Sequence, residues 1–581
     1  RNLNNVPGAY GGRQLMWKSG HAYIKQKMQE TGPVPGAALI QERCGDTPYI
    51  RLDGKIRTYS RDCLTTELHH TGPDPRSSIV TPPSASVLDI RRPATGEPLE
   101  SLPVDDAARV AAMARDLRLA QTAWRDMGPR VRAGWLRAWR GWILDHTDEL
   151  TDLLVAETGK VRPDALVETT ASCEFISYYA DHAEKFLAPE RVGSSGLLSL
   201  PKRLSRTYRP YPLVGLIVPW NFPITLFLMD AAPALAAGCA VLAKSSEMTP
   251  LTCARVIEGW QEIGAPAVLQ HVSGAGDAGQ AVVEAVDFVQ FTGSTATGRR
   301  VATRCAELLK PVSLELGGKD AAIVLEDADL DRAAHGLVWG GIFNSGQVCI
   351  SVERVYAVDA VYDELVEKVA AALGALRQGA GARDDVGAMV TKEQVDTVER
   401  HVQEARQRGA RVLVGGERGT KGNFFAPTLL VDVDHTMSCM TEETFGPTLP
   451  IMRVADEAEA ITLANDSEYG LSATVWTRDL GRGRRVADQL EVGAVNINDV
   501  FSNLFAVGLP HSGWKSSGMG ARLGGAQGLR KYCRVQAITE PRMPVTTKEL
   551  TWYPYSARRT AIAGRVLRLA AGRGLRQRLG L

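Results

Sequence analysis

From Ser86 onward, apolar and polar positions follow two periods. Residues 105–123 repeat apolar side chains at helical spacing, and 130–155 continue that spacing with Trp135, Trp139 and Trp142. Both stretches predict amphipathic helices. Between helical stretches lie short apolar runs at 214–217, 240–243, 288–291, 312–316, 321–325, 355–358, 411–414, 471–476 and 493–497. Strand-length runs alternating with helices predict parallel βαβ units covered on both faces, an α/β fold. The sequence has no internal repeat.

Residues 213–243 carry one charge, Asp230, over 31 positions, enough to suggest a membrane span. Pro219, Pro223 and Pro233 would interrupt such a helix, so the stretch reads instead as strand, loop, helix and strand in a buried core. Residues 1–78 are rich in Gly, Pro, Arg and turn pairs, and form an N-terminal extension to which the pattern assigns no role. Cys63 with His69 and His70 lacks the paired ligands of a metal site, so no metal is expected.

Composition then narrows the class. At 581 residues the length suggests three or four domains of roughly 150 residues, or one large two-lobed enzyme with additions. The 44% hydrophobic and 23% charged content is that of a globular protein and excludes a disordered or disulfide-scaffold chain. Net charge is +1, giving no general bias toward nucleic acid, but residues 557–581 hold seven arginines and no acid. That leaves 60 basic against 66 acidic residues, net −6, in the other 556. Nine scattered cysteines without C-x-x-C fit a reducing, cytoplasmic setting. The chain opens Arg1-Asn2-Leu3, without the pattern of a secretory signal and without Met, as in a fragment or processed product.

Four segments carry candidate chemistry. Residues 343–351 form a polar, glycine-containing loop that delivers Cys349 between apolar neighbours. Upstream, Glu315 ends an apolar run just before Gly317 and Gly318, where a carboxylate at a strand's C-terminal end faces a ligand crevice. Cysteine plus carboxylate suggests a covalent thioester route with the carboxylate as base for water. Asn221, on the two-proline loop 218–223, offers a fixed amide donor suited to an oxyanion. In 291–298 a strand leads through Gly293, Ser294 and Gly298 into a helix, an arrangement that presents N–H groups to phosphate. Residues 274–279 match G-x-G-x-x-G, but Arg299 and Arg300 stand where the usual ribose-binding acid is expected.

Taken together, PWNFP (219–223), KSSEMTP (244–250), FTGSTATG (291–298), LELGGK (314–319), GQVC (346–349), EETFGP (442–447), NDSEYGLSATVWT (465–477) and GWKSSGMG (513–520) resemble the aldehyde dehydrogenase superfamily, in the family's order, from about Val87 to Ile538. The resemblance implies two Rossmann-like parallel-sheet lobes with an oligomerisation hairpin. It divides the chain into the extension 1–78, an enzyme at 79–540 (cofactor lobe about 79–313, catalytic lobe about 314–512) and a basic tail at 541–581. It implies that Cys349 attacks the aldehyde, that Asn221 and the Cys349 N–H hold the oxyanion, and that Glu315 activates water against the thioester. Lys244 and Glu247 match the family's ribose-binding pair, Glu443 the residue on the nicotinamide ribose, and Gly293 and Ser294 begin the pyrophosphate turn. Pro219, Trp220, Ser246, Gly276, Gly298, Gly317 and Phe445 complete the implied cofactor set. A carboxylate at Glu247 repels a 2′-phosphate, which favours NAD over NADP. Ser245 stands where many members have proline, a departure expected to loosen that turn.

The implied substrate tunnel comprises Phe222, Leu226, Met229, Phe343, Val348 and Ile350, all apolar, which suits aliphatic or aromatic aldehydes. Members acting on succinate semialdehyde commonly have arginine where this chain has Phe343, which weakens that alternative, although bacterial members so named share sequence like 349–354. A CoA-acylating member would usually lack Glu315, and a catalytically silent one would not be expected to keep Cys349, Glu315 and Asn221. The family implies a homodimer or homotetramer. In the tail, Ile562, Val566, Leu569, Leu575 and Leu579 lie roughly on one face opposite the arginines, so residues 557–581 are candidates for peripheral contact with the inner face of an anionic membrane, against a helix packed on the protein itself.

Overall fold

Apolar runs too polar-poor to face water on either side build the two large sheets of the described residues. A computed structural model describes residues 87–545, 547–549, 552–571, 574 and 576, with short strand pieces between 37 and 57. Arg1–Pro83 and Ser84–Leu581 are separate units, and the second holds both sheets. Cys63, His69, His70, Leu575 and Leu579 lie outside the described residues.

The first sheet runs, in spatial order, Leu269–Val272, Ala240–Lys244, Leu213–Ile217, Phe288–Thr292, Val312–Glu315 and Gly518–Met519; only the last is antiparallel. Chain order reverses between Leu213–Ile217 and Phe288–Thr292, so a crevice opens beyond their C-terminal ends. The second sheet runs Arg411–Val414, Thr428–Val431, Thr448–Val454, Val352–Val358, Asp320–Val324, Ser472–Trp476 and Ala494–Ile497, parallel except for the first. Every residue of Ala240–Lys244, Phe288–Thr292, Asp320–Val324 and Val352–Val358 is buried, as two-faced burial requires. Four strands of these sheets are additional to the predicted set, among them Gly518–Met519, which is only two residues long. Leu269–Val272 is interrupted by Gln270 and His271, Thr448–Val454 contains Pro450, and Thr428–Val431 is only four residues long.

The segment 213–243 folds as strand, loop, helix and strand, and the Pro223–Ala237 helix is buried all round. No helix among the described residues is long and apolar enough to cross a membrane. The helix expected over 130–155 is two, Gly128–Asp145 and Thr147–Thr158, because His146 leaves helical geometry at φ −106°, ψ 20°. Its ring stacks on Trp142 at 4.1 Å, and Thr147 Oγ1 donates back to the Leu144 carbonyl at 2.8 Å. Glu190–Val192 and Lys202–Pro210 form a hairpin to which Cys533–Pro541 adds a third strand. The Ala557–Ala571 helix has no buried residue.

One buried ion pair fixes the loop leading into the Pro223–Ala237 helix. Lys160 and Glu168, both fully buried, pair with each other. Glu168 accepts from the Ile224 and Thr225 N–H groups at 2.9 and 3.2 Å, using the positive end of that helix. Lys160 Nζ donates to the Asn221 carbonyl at 3.0 Å and lies 4.2 Å from the Phe222 ring centre. The pair thus grips residues 221–225 from both sides. Lys160→Met leaves Glu168 uncompensated and is expected to cost about 3–5 kcal/mol. Denaturant unfolding monitored by circular dichroism measures this, and an unchanged midpoint would contradict the role given to the pair.

Candidate active site

The second sheet begins four residues after the first sheet's last long parallel strand ends. Val312–Glu315 closes on Glu315, and Leu316, Gly317, Gly318 and Lys319 lead into Asp320–Val324. A Cβ on Gly318 would lie 2.3 Å from the Cys349 carbonyl oxygen, and one on Gly317 would lie 2.5 Å from the Glu443 carboxylate. Only glycine permits both approaches. Glu443 Oε1 in turn accepts from the Gly318 N–H at 2.9 Å.

Cys349 comes from a loop wound against its preference. Asn344, Ser345 and Gly346 all have positive φ, at 52°, 57° and 72°, a strain that neighbours must hold. Asn344 Nδ2 donates to the Asn221 carbonyl at 3.1 Å, Ser345 Oγ to the Gly387 carbonyl at 2.9 Å, and Gln347 Nε2 to the Asn344 carbonyl at 3.0 Å. Gln347 Oε1 accepts from the Val390 N–H at 2.9 Å. Asn221 Nδ2 donates to the Gln347 carbonyl at 2.9 Å, so its amide is oriented by the loop that carries Cys349.

A cavity of about 250 Å³ gathers these groups: Pro219, Trp220, Asn221 and Leu226 on one side, Gly293, Ser294 and Gly317 at its back, and Cys349, Glu443 and Phe445. Trp220 and Phe445 meet edge to face at 5.4 Å. Glu353 holds the Glu443–Phe445 segment by accepting from the Thr444 and Phe445 N–H groups, both at 2.7 Å, while Lys319 pairs with Glu353 at 2.7 Å. An adjoining groove of about 920 Å³ is lined by Lys244, Ser246, Glu247, Gly276, Gly293 and Ser294. Lys244 Nζ bonds Glu247 at 3.0 Å, and Ser294 caps the Thr295–Glu307 helix. Together, groove and cavity have the form a dinucleotide needs: a carboxylate and an ammonium for a ribose, a helix N-terminus for phosphate, and a pocket at the cysteine.

Some predicted residues fall elsewhere. Gly298 packs on Leu316 and lies outside the groove lining, because a Cβ there would meet the leucine at 2.4 Å. Met229 is buried in the core of the first lobe, and Val348 and Ile350 in that of the second, so of the six tunnel residues Leu226 alone lines the cavity with Cys349. Phe222 and Phe343 stack at 5.8 Å, and Phe343 packs on Trp339 and Phe501, which the apolar pattern did not single out. Ser245 does not loosen its turn: its hydroxyl bonds His271 Nε2 at 2.7 Å on the neighbouring strand. Thr292, from the 291–298 segment, also lines the cavity, as do Gln394 and Thr397, which carried no local signal. No group of three or more His, Cys, Asp or Glu suited to a metal occurs among the described residues.

Electrostatics separate the two reactive groups from their neighbours. Burial pushes the Glu315 carboxyl up to about 8, while the Arg522 and Lys531 charges oppose the rise. Neither Glu315 oxygen has a hydrogen-bond partner within the protein. Burial, with the Glu315 and Asp320 charges, pushes the Cys349 thiol up to about 12, so these groups alone do not ionise it at neutral pH. Burial and the Glu353 charge push Glu443 up to about 8. Shifted carboxyls beside a cleft cysteine are the marks of a reactive site.

The chain is similar in sequence and fold to known proteins. The aldehyde dehydrogenase family model matches residues 80–538. The chain is 39% identical over 471 residues to a 4,4′-diapolycopene aldehyde oxidase of Methylomonas sp, covering 80% of this chain and 88% of that protein. It is 38% identical over 463 residues to an NADP(+) succinate-semialdehyde dehydrogenase of Escherichia coli, covering 78% and 94%. Among solved structures, a Mycobacterium tuberculosis aldehyde dehydrogenase complexed with NAD+ superposes with a TM-score of 0.75 at 35% identity, covering 80% of this chain and 97% of that one.

Proposed function

The chain belongs to the aldehyde dehydrogenase family, and from that premise we propose how its residues divide the NAD(P)-dependent oxidation of an aldehyde to a carboxylic acid. The observation that carries the reading is the convergence of Cys349, Asn221 and Glu443 on one cavity, with Glu315 ending the strand beside it. Cys349 Sγ gives its proton to water and, as the thiolate, bonds the aldehyde carbon, and the oxygen that becomes anionic receives hydrogen bonds from the Asn221 amide and the Cys349 N–H. When bound, the dinucleotide would supply a hydride acceptor and a positive charge. Once hydride has left the carbon, Glu315 takes a proton from water, the water oxygen bonds the thioester carbon, and the Cys349 thiolate leaves as the acid is released. Lys244 and Glu247 hold the adenosine ribose and Glu443 the nicotinamide ribose.

Glu247 beside Lys244 supports NAD as the preferred cofactor, since a 2′-phosphate would meet a carboxylate. Arg299, Arg300 and Arg304 along the same groove, with a relative named for NADP(+), support NADP as the second reading. For substrate, Trp220, Leu226, Leu316 and Phe445 in the lining of the Cys349 cavity support an apolar aldehyde. The relatives named for succinate and glutarate semialdehyde favour a carboxylated one. We take 1–78, 79–540 and 541–581 as extension, enzyme and tail, with the lobes meeting near residue 314, and the protein as a dimer or tetramer. The free thiols support a reducing cytoplasm. The exposed Ala557–Ala571 helix, with Arg558, Arg565 and Arg568 beside Ile562, Val566 and Leu569, supports resting on an anionic membrane surface at its inner face.

Three measurements check these assignments. Cys349→Ala is expected to abolish NADH formation, and Glu315→Gln to keep a single-turnover burst while losing steady turnover; wild-type turnover in either variant rules out its role. Across octanal, benzaldehyde and succinate semialdehyde, with each cofactor, kcat/KM should be highest for an apolar aldehyde with NAD, and preference for succinate semialdehyde would establish the alternative. Vesicles containing phosphatidylglycerol should sediment the full chain, but not one lacking residues 557–581; equal sedimentation of both would refute the tail's role.

A further inference from the structure

Glu315 sits in a closed ring of buried contacts that the catalytic sequence above does not use. Thr292 and Glu315 are partners across neighbouring parallel strands. His511 and Arg522 are partners across the Pro510–His511 and Arg522–Leu523 strands. The two pairs touch at both ends: Arg522 Nη2 donates to Thr292 Oγ1, and His511 Nε2 lies 3.7 Å from Glu315 Oε2. This fixes the Arg522 guanidinium on Thr292, the strand partner of Glu315, and sets His511, its own strand partner, against the Glu315 carboxyl.

Arg522 is itself held by Asp230 on the Pro223–Ala237 helix, at 2.5 Å from Nη2 and 3.4 Å from Nε. Asp230 also accepts from Tyr532 at 3.0 Å and from Lys531 at 3.4 Å, and Lys531 donates to Gln290 at 2.7 Å. The side chains of Glu315, His511, Arg522 and Asp230 are at most 4% exposed, so no solvent screens one from another. The group holds two acids, Asp230 and Glu315, and two cations, Arg522 and Lys531. Asp230 faces two cations, and Glu315, without a hydrogen bond of its own, is the remaining acid in the group.

We propose that Arg522 and Asp230 are positioning residues of opposite sign for Glu315: the fixed guanidinium favours its carboxylate, and Asp230 limits that effect. The inference rests on Glu315 being the base for water. Facing Glu315 are His511 and Arg522 from the 510–523 hairpin, Asp230 from its helix, Lys531 after the Ala526–Arg530 helix, and Cys349 across the cavity. Burial pushes His511 down to about 3, so it is neutral, while Lys531 is pushed down to about 8 and titrates alongside Glu315. Opposite charges within one site should displace the base in opposite directions when removed singly. Loss of a merely structural contact would weaken the site in both cases without that contrast.

The test uses p-nitrophenyl acetate without cofactor on the full chain: the p-nitrophenolate burst reads acylation of Cys349, and the slow phase reads its hydrolysis. In wild type the slow phase should rise with pH through about 8, as Glu315 loses its proton. Arg522→Gln should move that rise to higher pH by about one unit or more, lowering hydrolysis at pH 7 about tenfold. Asp230→Asn should move it to lower pH, Arg522→Lys should restore the wild-type position, and Lys531→Met should move it upward. If Arg522→Gln lacks a cooperative melt, Asp230→Asn and Lys531→Met still give opposite signs. Shifts of one sign in both, or none, overturn the inference. A Glu315→Gln variant that hydrolyses the acyl-enzyme at the wild-type rate overturns instead the role of Glu315 as base.

Discussion

The close approach of backbone at Gly317 and Gly318 is the constraint on which the site depends. Four residues carry the chain from the end of one sheet to the start of the next, and over that distance the main chain touches both the Cys349 carbonyl and the Glu443 carboxylate. A methyl group at either glycine would push the two lobes' contributions apart. Because Glu315 ends the strand just before them, the crossing also places the base candidate at the seam. The cavity is therefore a product of one tight connection, with side chains from both lobes brought to it by backbone contact.

Buried charge is distributed by purpose around that seam. Lys160 with Glu168, Lys319 with Glu353, and Arg522 with Asp230 are paired and hydrogen-bonded, and each supports a reactive or cofactor-facing segment. The first grips the Asn221 loop, the second the Glu443 segment, and the third lies behind Glu315. Buried pairs of this kind bring little net stability for their desolvation, but removing one partner is costly, so they fix geometry. Glu315 differs in having neither oxygen bonded within the protein. Burial raises its carboxyl, whereas Asp230, buried just as deeply, is held below its usual range by Arg522 and Lys531.

The site residues were legible in sequence to different degrees. Cys349 and Asn221 announced themselves as polar residues in loops between apolar runs, Glu443 came only from the family resemblance, and the cavity brings the three together. Gly298 sat in a telling motif and Met229 in the implied tunnel, yet both pack against the core, because neither signal says which way a helical residue faces. The split at His146 was hidden because both halves keep helical spacing, and the interruption is made by side chains folding back on the preceding turn.

Sequence by itself determined the alternation of buried strands and helices, the glycines at the seam, the cysteine loop and the arginine-rich tail. These follow from local requirements: apolar runs for strands buried on both faces, glycine for close backbone contact, charge for solvent. Only the tertiary structure decided which charges meet. Asp230 and Arg522 are 292 positions apart, Lys160 and Asn221 are 61 apart, and no local pattern predicts that either would meet. Their pairing is set by strand order and register, which bring His511, Arg522, Thr292 and Glu315 into one ring, and burial then makes each charge in that ring strong enough to act on the next.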